Sequence, residues 1–173
     1  MKKLIFILLI SLVILPSCKE NAKKNDEVIT TYYLIRHAEK DRSDASNKNP
    51  ELTEQGLKRA ENWAKHFEKV QFDAIYSTDY NRTKQTAMPT AKANNLELQY
   101  YNPFKIKIEE FIETTKGKTV LVVGHSNTTP QFVNKILEES KYEDIADDNN
   151  ANLYKVILSK NGKTSKLSKV DIN

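Results

Sequence analysis

Apolar stretches alternate with polar, helix-periodic stretches through most of this 173-residue chain. Residues 29–35 and 119–123 are rich in β-branched and aromatic side chains, as expected of buried strands. Residues 57–67 carry apolar positions three and four apart, which predicts an amphipathic helix with Thr53 as its N-cap. The same criteria predict further strands at 72–76 and 96–101 and further helices at 82–93, 106–115 and 131–137.

The order of these elements predicts the fold class. In residues 119–123 every position after Thr119 is apolar, so both faces of this strand are apolar, which is typical of a central parallel strand. Near the end of the chain, strands at 153–158 and 164–170 flank Asn161-Gly162, a strong hairpin signal. We therefore expect an α/β three-layer sandwich, with a mostly parallel central sheet flanked by helices and a C-terminal antiparallel hairpin.

The first residues have a different pattern. A short basic start precedes an apolar stretch at 4–15 that is broken only by Ser11. This stretch fits the core of a signal peptide and falls short of the roughly 20 residues that a spanning helix needs. Leu15-Pro16-Ser17-Cys18 follows and resembles the lipobox of bacterial lipoproteins, although Pro16 is a less usual occupant of its position. The resemblance implies that Cys18 is lipidated and becomes the mature N-terminus.

This pattern predicts three regions. Residues 1–17 are expected to be a lipoprotein signal peptide, residues 18–27 the lipidated Cys18 with a polar, flexible tether, and residues 28–173 a single domain. Cys18 is the only cysteine, so no intrachain disulfide can form. Stable anchoring takes more than one acyl chain, which a triacylated cysteine would supply. The expected location is the cell envelope, as a membrane-anchored extracytoplasmic lipoprotein.

Charge argues against a nucleic-acid partner. The full chain has 27 basic and 23 acidic residues, and loss of Lys2 and Lys3 with the signal peptide lowers the net charge from +4 to +2. Charges of both signs are interspersed, and the lysine-rich segment 160–169 is interpreted as a solvated hairpin. The expected partners are a small-molecule substrate and, through the lipid, the membrane. The oligomeric state is left open.

Histidines and arginines follow three of the predicted strands. Arg36-His37 ends the first strand, Gly124-His125 ends the central strand, and Arg82 comes just after the second. Open α/β sheets bind ligands outside the carboxyl ends of their strands, where these side chains should converge. A cationic pocket with a nucleophilic imidazole is suited to phosphoryl transfer. Binding of a metal by the two histidines is the alternative, and the adjacent arginines disfavour it because they would repel a cation.

Four motifs in order carry a resemblance to a known family. They are Arg36-His37-Ala38-Glu39, Leu52-Thr53-Glu54-Gln55-Gly56, the segment from Ser77 to Ala87, and Val123-Gly124-His125-Ser126. Over residues 30 to about 135 the chain resembles the histidine phosphatase superfamily, which includes the cofactor-dependent phosphoglycerate mutases. The resemblance implies an α/β fold and an activity that requires no metal and no other cofactor.

The resemblance also implies a role for each matching residue. His37 would attack phosphorus and form a phosphohistidine. Arg36 and Arg82 would bind the phosphoryl oxygens with their planar forks, and His125 would add a third cationic donor. Glu39 and Asn127 are further candidates for contact with the substrate.

A general acid for the leaving group is not evident. Glu39 and Asp41 lie beside the nucleophile, and the remaining candidates are Glu97, Glu109, Glu110 and Glu113. The compact phosphohistidine-phosphatase branch resembles this chain in lacking a clear acid, and a phosphoramidate nitrogen can be protonated from solvent. His66, the third histidine, is interpreted as structural.

The sequence therefore predicts a phosphatase that hydrolyses a phosphomonoester or a phosphoramidate through His37. Two alternatives remain open. One is a non-catalytic envelope lipoprotein that binds a phosphorylated ligand. The other is a mutase-like phosphotransferase, which the short chain disfavours because it lacks the insertions with which larger mutases enclose their substrates.

Overall fold

Ten elements of secondary structure alternate along the chain in the computed structural model, which describes residues 28–172. The predicted signal peptide and Cys18 lie outside the described residues. None of the helices within the described range is long and apolar enough to cross a membrane. The elements are β1 (Thr30–Arg36), α1 (Glu54–His66), β2 (Ala74–Ser77), α2 (Asn81–Ala93), β3 (Leu98–Tyr100), α3 (Ile108–Thr114), β4 (Thr119–Gly124), α4 (Thr128–Leu137), β5 (Asn152–Ser159) and β6 (Gly162–Lys169).

The six strands form one sheet in the order β3-β2-β4-β1-β5-β6. The four strands β3, β2, β4 and β1 are parallel, and β5 and β6 continue the sheet in antiparallel fashion. This confirms the predicted α/β fold with a mostly parallel sheet and a C-terminal antiparallel pair.

Both faces of the sheet are covered, because β4 sends alternate side chains into two separate clusters. Val120 and Val122 pack in a cluster with residues of α3 and α4, whereas Leu121 and Val123 pack with residues of α1 and α2. All four of these side chains are buried. A strand that is apolar on both faces therefore lies between two helical layers, as its sequence predicts.

Helix α4 begins earlier than predicted. It starts at Thr128 rather than after Pro130, and the side chain of Asn127 accepts a hydrogen bond of 2.8 Å from the backbone of Thr128. Pro130 is tolerated in the first turn because N–H groups there have no partner within the helix. The first turn of the helix is thus brought directly behind His125.

Three smaller predictions are corrected. Leu57 was expected in the apolar stripe of α1, yet its side chain is exposed and lies outside the buried clusters. Gly162, with φ of 116°, opens β6 and pairs with Ser159, so the two-residue turn is Lys160-Asn161. Strand β3 spans only three residues, fewer than predicted, and lies at the edge of the sheet, where it pairs with β2 alone.

The start of α1 holds the loop that follows β1. Thr53 caps the helix by accepting from the backbone of Gly56, and the Thr53 N–H donates to the carbonyl oxygen of Glu39 at 2.9 Å. A Cβ atom at Gly56 would collide with that same carbonyl oxygen. The Leu-Thr-x-x-Gly motif therefore allows a helix to approach the backbone two residues beyond His37.

We expect Gly56→Ala to destabilise the protein. In an ordinary helix this change is favourable by up to about 1 kcal/mol, but the collision with Glu39 reverses its sign and should cost roughly 1–3 kcal/mol. Urea unfolding measures the difference. Lys58→Ala, at an exposed position of the same helix, is the control and should be nearly neutral. A stabilised Gly56→Ala variant would show that the close approach is not required.

Candidate active site

A cavity of about 680 Å³ opens at the carboxyl ends of β1, β2 and β4. It is lined by the four residues for which a catalytic role was predicted, Arg36, His37, Arg82 and His125, and by Asn127. The predicted site residues from three segments of the chain therefore share one cavity, at the edge of the sheet where α/β folds bind ligands.

Strand pairing brings the two histidines together. Arg36 lies opposite Gly124 in the parallel pairing of β1 and β4, and the His37 N–H donates to the Gly124 carbonyl at 3.0 Å. The rings of His37 and His125 lie with their centroids 5.5 Å apart. The His37 carbonyl in turn accepts from the Asn150 side chain at 2.8 Å, which holds the loop after β1.

The His37 ring is held in one tautomer. Its Nδ1 lies 2.7 Å from the carbonyl oxygen of Ala38, which can only accept, so Nδ1 carries the hydrogen and Nε2 carries the lone pair. Burial and, to a smaller extent, the nearby positive charge of Arg36 lower the pKa of His37 to about 3. At neutral pH, His37 is therefore an uncharged imidazole with Nε2 as its nucleophilic atom.

His125 is oriented by β2. Its Nε2 lies 2.9 Å from Thr78 Oγ1, and because the Thr78 hydroxyl donates to Thr83, Nε2–H is the donor to Thr78. Nδ1 then faces Arg82 Nη2 at 3.4 Å. Burial, followed by Arg82, lowers the pKa of His125 to about 4, so the ring is neutral in the free protein. A bound phosphate dianion would favour its protonation, and Nδ1–H would then be a further donor.

Some N–H groups of the Arg82 side chain have no hydrogen-bond acceptor. Its Nε and Nη1 are buried without a hydrogen-bond partner, and its Cζ lies 4.4 Å from the centroid of the Tyr80 ring. Burial lowers the pKa of Arg82, although the group stays charged. Because buried donors are almost always paired in proteins, these N–H groups favour an anionic ligand.

Arg36 is buried but turned toward the loop between α4 and β5. Its Nη1 donates to the carbonyls of Ala146 and Asp147 at 2.8 and 2.9 Å, and its Nη2 forms an ion pair of 2.8 Å with the Asp147 carboxylate. Asp147 also pairs with Arg42. The Arg36 guanidinium, which was predicted to bind phosphoryl oxygens, is thus bonded to loop carbonyls and to a carboxylate in this structure.

The predicted candidates for a general acid lie away from the cavity. Glu39 forms an ion pair with Arg59, which donates from Nε at 2.8 and 2.9 Å and from Nη2 at 2.7 Å. Asp41 is exposed and accepts from the Ser43 backbone, and Glu109 is exposed on α3. Neither Glu39, Asp41 nor Glu109 lines the cavity that holds the two histidines.

Two other carboxylates line the cavity, and both are paired. Asp79 forms an ion pair of 2.9 Å with Lys84. Hydrogen bonds from Arg42 and then Arg36 lower the pKa of Asp147 below its usual range. An acid with a lowered pKa is ionised at neutral pH, so Asp147 has no proton to donate there.

The structure shows why a glycine precedes His125. A Cβ atom at Gly124 would lie 2.7 Å from Thr129 Oγ1 and 3.0 Å from the Tyr101 hydroxyl. The glycine therefore allows close packing within the protein. His66 lies at the end of α1 against the rings of Trp63 and Phe67, as its structural interpretation requires.

Several lining residues were missed by sequence reasoning. Thr78 and Tyr80 lie inside the arginine motif, but the chemical signal of that motif falls on Arg82. The others carry no pattern that marks a site. The missed residues are Lys40, Thr78, Tyr80, Tyr100, Phe104 and Asp147. Across residues 28–172, no three His, Cys, Asp or Glu side chains are grouped as a metal site.

The neutral histidines make stability depend on pH. In the unfolded chain both titrate near 6.5, whereas in the folded protein the pKa values of His37 and His125 are about 3 and 4. The unfolded chain therefore binds more protons between pH 6.5 and 4, so the free energy of unfolding falls as the pH is lowered through this range. The slope should reach about 1.4 kcal/mol per pH unit for each histidine.

Urea unfolding at several pH values between 4 and 7 measures this slope. The His37→Gln/His125→Gln double variant should lose most of it. The lowered pKa of Asp147 affects stability mainly at and below pH 4, so it contributes only at the acid end of the range. An unchanged slope in the double variant would contradict the assignment of neutral histidines.

Comparisons with known proteins agree with this geometry. Residues 32–105 match the model of the histidine phosphatase superfamily, branch 1. Phosphoserine phosphatase 1 of Hydrogenobacter thermophilus is 34% identical over 88 residues, which cover 49% of this chain and 38% of that protein. The chain thus spans about two fifths of the length of this curated relative.

Solved structures share the fold. A phosphoglycerate mutase from Bacillus anthracis aligns with a TM-score of 0.65 at 16% identity, over 83% of this chain and 94% of that one. A phosphoserine phosphatase from Entamoeba histolytica, in complex with 3-phosphoglyceric acid, aligns with a TM-score of 0.64 at 17% identity, over 82% and 98% of the two chains. These alignments show that the chain shares the fold of these proteins, and its residues 32–105 are similar to branch 1 of the histidine phosphatase superfamily.

Proposed function

We propose that this protein is a metal-independent phosphatase that transfers a phosphoryl group from a phosphomonoester or a phosphoramidate to His37 and then to water. The observation that carries the proposal is the state of His37. Its Nδ1–H donates to the Ala38 carbonyl at 2.7 Å, which leaves the Nε2 lone pair available beside the unpaired donors of Arg82. A neutral nucleophile beside a cationic anion site is the arrangement that phosphoryl transfer needs.

In the first step, His37 Nε2 attacks phosphorus while the bond from phosphorus to the leaving group breaks. The three phosphoryl oxygens would accept from Arg82, from protonated His125 and from Arg36. Fixed donors of this kind stabilise the charge of the transition state without a metal. The first turn of α4, which follows His125 and lines the cavity at Thr128, adds the favourable end of a helix dipole.

The Asp147 side chain must move away from Arg36 before the substrate can bind. A phosphate dianion and the Asp147 carboxylate would compete for Arg36 Nη2 and would repel each other. The Asp147 side chain is 71% exposed, so it can turn into solvent at little cost. Arg36 would then retain its bonds to the loop carbonyls through Nη1 and offer Nη2 to the phosphate.

In the second step, water attacks the phosphohistidine and the bond between phosphorus and Nε2 breaks. The proton lost by the water leaves with the phosphate product, and His37 returns to its neutral form. Nδ1–H stays bonded to the Ala38 carbonyl throughout, so the ring keeps one orientation.

The function is tested with the full-length chain and a panel of phosphorylated compounds in the presence of EDTA. The panel contains phosphoserine, 3-phosphoglycerate, phosphotyrosine and phosphoramidate. Phosphate release should be measurable and should fall by at least about 10³-fold in His37→Ala, because the covalent route is lost. His66→Ala is the matched control, since His66 lies on α1 outside the cavity.

Four outcomes would contradict the proposal. Full activity in His37→Ala excludes the covalent mechanism, and activity only with an added divalent cation excludes metal independence. Tight binding of phosphorylated compounds without any turnover would favour the non-catalytic alternative. Exchange of phosphate between two acceptors, faster than release to water, would favour a mutase-like phosphotransferase.

We also propose that the domain is held at the bacterial cell envelope by lipid on Cys18, which lies outside the described residues. The support is the basic start, the apolar stretch at 4–15 and the lipobox-like sequence before the single cysteine. In a bacterial host the full-length protein should enter the membrane fraction and incorporate labelled palmitate. Cys18→Ser should lose the label and keep its signal peptide uncleaved. Normal processing and release of Cys18→Ser would show that Cys18 is not the anchor.

A further inference from the structure

We propose that the preferred substrates are aryl phosphomonoesters, whose leaving group is a phenol and whose ring lies against Tyr80, Tyr100 and Phe104. This inference rests on the proposed phosphatase function and assigns a substrate class to the same cavity. Two independent observations support it, namely the aromatic side chains at the mouth and the absence of a protonated carboxyl group among the described residues that line the cavity.

The mouth of the cavity is aromatic. Tyr80, Tyr100 and Phe104 all line it, with 41%, 57% and 80% of their surfaces exposed. Large side chains exposed to this extent at one opening are typical of a surface that binds an apolar ligand. Tyr80 comes from the turn before α2, Tyr100 ends β3 and Phe104 lies in the segment after β3, so the opening is enclosed by separate parts of the chain.

Tyr80 connects this surface to the phosphate site. Its ring meets the His125 ring at a centroid distance of 5.1 Å and an angle of 90°, and the Arg82 guanidinium lies over its face. A group attached directly to a phosphoryl bound at Arg82 and His125 would therefore lie beside Tyr80. A phenol ring has the size and shape for this position, since it follows the phosphoryl oxygen without an intervening chain.

The backbone at Phe104 is fixed by hydrogen bonds, although the side chain is exposed. The side chain of Asn102 accepts from the Phe104 N–H at 2.9 Å, and the Asn102 carbonyl accepts from the N–H groups of Lys105 and Ile106 at 3.1 and 3.0 Å. Pro103 restricts the same turn further. Because the backbone that carries the ring is already ordered, only the rotational freedom of the Phe104 side chain is lost when a ligand stacks on it.

The second observation concerns the leaving group. Of the residues in the described part of the chain that line the cavity, only Asp79 and Asp147 are carboxylic acids, and both are ion-paired. The proton of protonated His125 is used to bind a phosphoryl oxygen and so does not serve the leaving group. An alkyl ester expels an alkoxide whose conjugate acid is about as weak as water, with a pKa of about 16, so it needs a proton donor. A phenol has a pKa of about 10. Its anion can leave with the electron pair of the broken bond and take a proton from bulk water afterwards.

The same reasoning disfavours nucleoside monophosphates. A base could stack on the aromatic side chains, but the leaving group would be a sugar alkoxide that requires protonation. The ring of an aryl ester is instead bonded to the leaving oxygen itself. An aryl ester can both stack on the aromatic side chains and lose its leaving group without a general acid. A nucleotide can stack, but its leaving group requires a proton.

The first test compares kcat/KM of the full-length chain for phosphotyrosine and phosphoserine, two esters that carry the same amino-acid group. Lack of a general acid is worth roughly 10²–10⁴ in rate for the alkyl ester. We expect phosphotyrosine to be preferred by at least about 100-fold. Phe104→Ala should reduce this ratio about tenfold through KM, Phe104→Tyr should restore it, and Leu167→Ala, exposed on β6, should leave it unchanged.

The second test uses substituted phenyl phosphates whose phenols differ in pKa. Without a general acid, kcat/KM should fall steeply as the pKa of the phenol rises. A flat dependence would show that a proton donor acts and would overturn the inference.

The outcomes separate this inference from the proposed function. Equal use of phosphoserine and phosphotyrosine, with no effect of Phe104→Ala on their ratio, would overturn the aryl assignment while the phosphatase stands. Preference for adenosine monophosphate over phosphotyrosine would do the same. If no compound of either class is hydrolysed, the proposed function itself fails.

Discussion

The site depends on the parallel pairing of β1 with β4. This pairing places Arg36 opposite Gly124, so the residues that follow, His37 and His125, leave the sheet side by side. Because side chains alternate along a strand, a shift of one residue would turn one histidine toward the opposite face. The register is stabilised by the burial of β4 between two layers of helices and by the packing of hydroxyl groups against Gly124. Packing of the core therefore determines where His37 and His125 lie.

Around the paired strands β1 and β4, several side chains of the site are held in states that are energetically unfavourable when no ligand is bound. The buried His37 and the half-buried His125 are neutral imidazoles beside arginines, and Arg82 has buried donors without partners. Each arrangement costs stability in the free protein. A phosphoryl dianion would relieve these costs, since it accepts from the arginine and favours a protonated His125. The site is therefore preorganised for the charge of the substrate and of the transition state.

Much of this was predictable from the chain. Strands apolar on both faces and helices with apolar stripes gave the correct layers, and the spacing of Arg36-His37, Arg82 and His125 pointed to one cavity. Other features depend on contacts between residues far apart in the chain, which produce no periodic pattern in the sequence. The loop that brings Asp147 to Arg36 has no hydrophobic pattern, and Leu57 has the spacing of a buried residue yet faces solvent. Phe104 resembles any aromatic residue after a proline until the turn at Asn102 shows where it lies.

The central claim is that His37 is the phosphoryl acceptor, and trapping of the phosphorylated enzyme tests it most directly. The full-length chain is mixed with phenyl phosphate, quenched in base within milliseconds and digested for mass spectrometry. A phosphohistidine survives base and is lost in acid. The account predicts base-stable, acid-labile phosphate on the peptide that contains His37, during turnover only. Turnover without phosphate on that peptide, or acid-stable phosphate on a hydroxyl group, would contradict it.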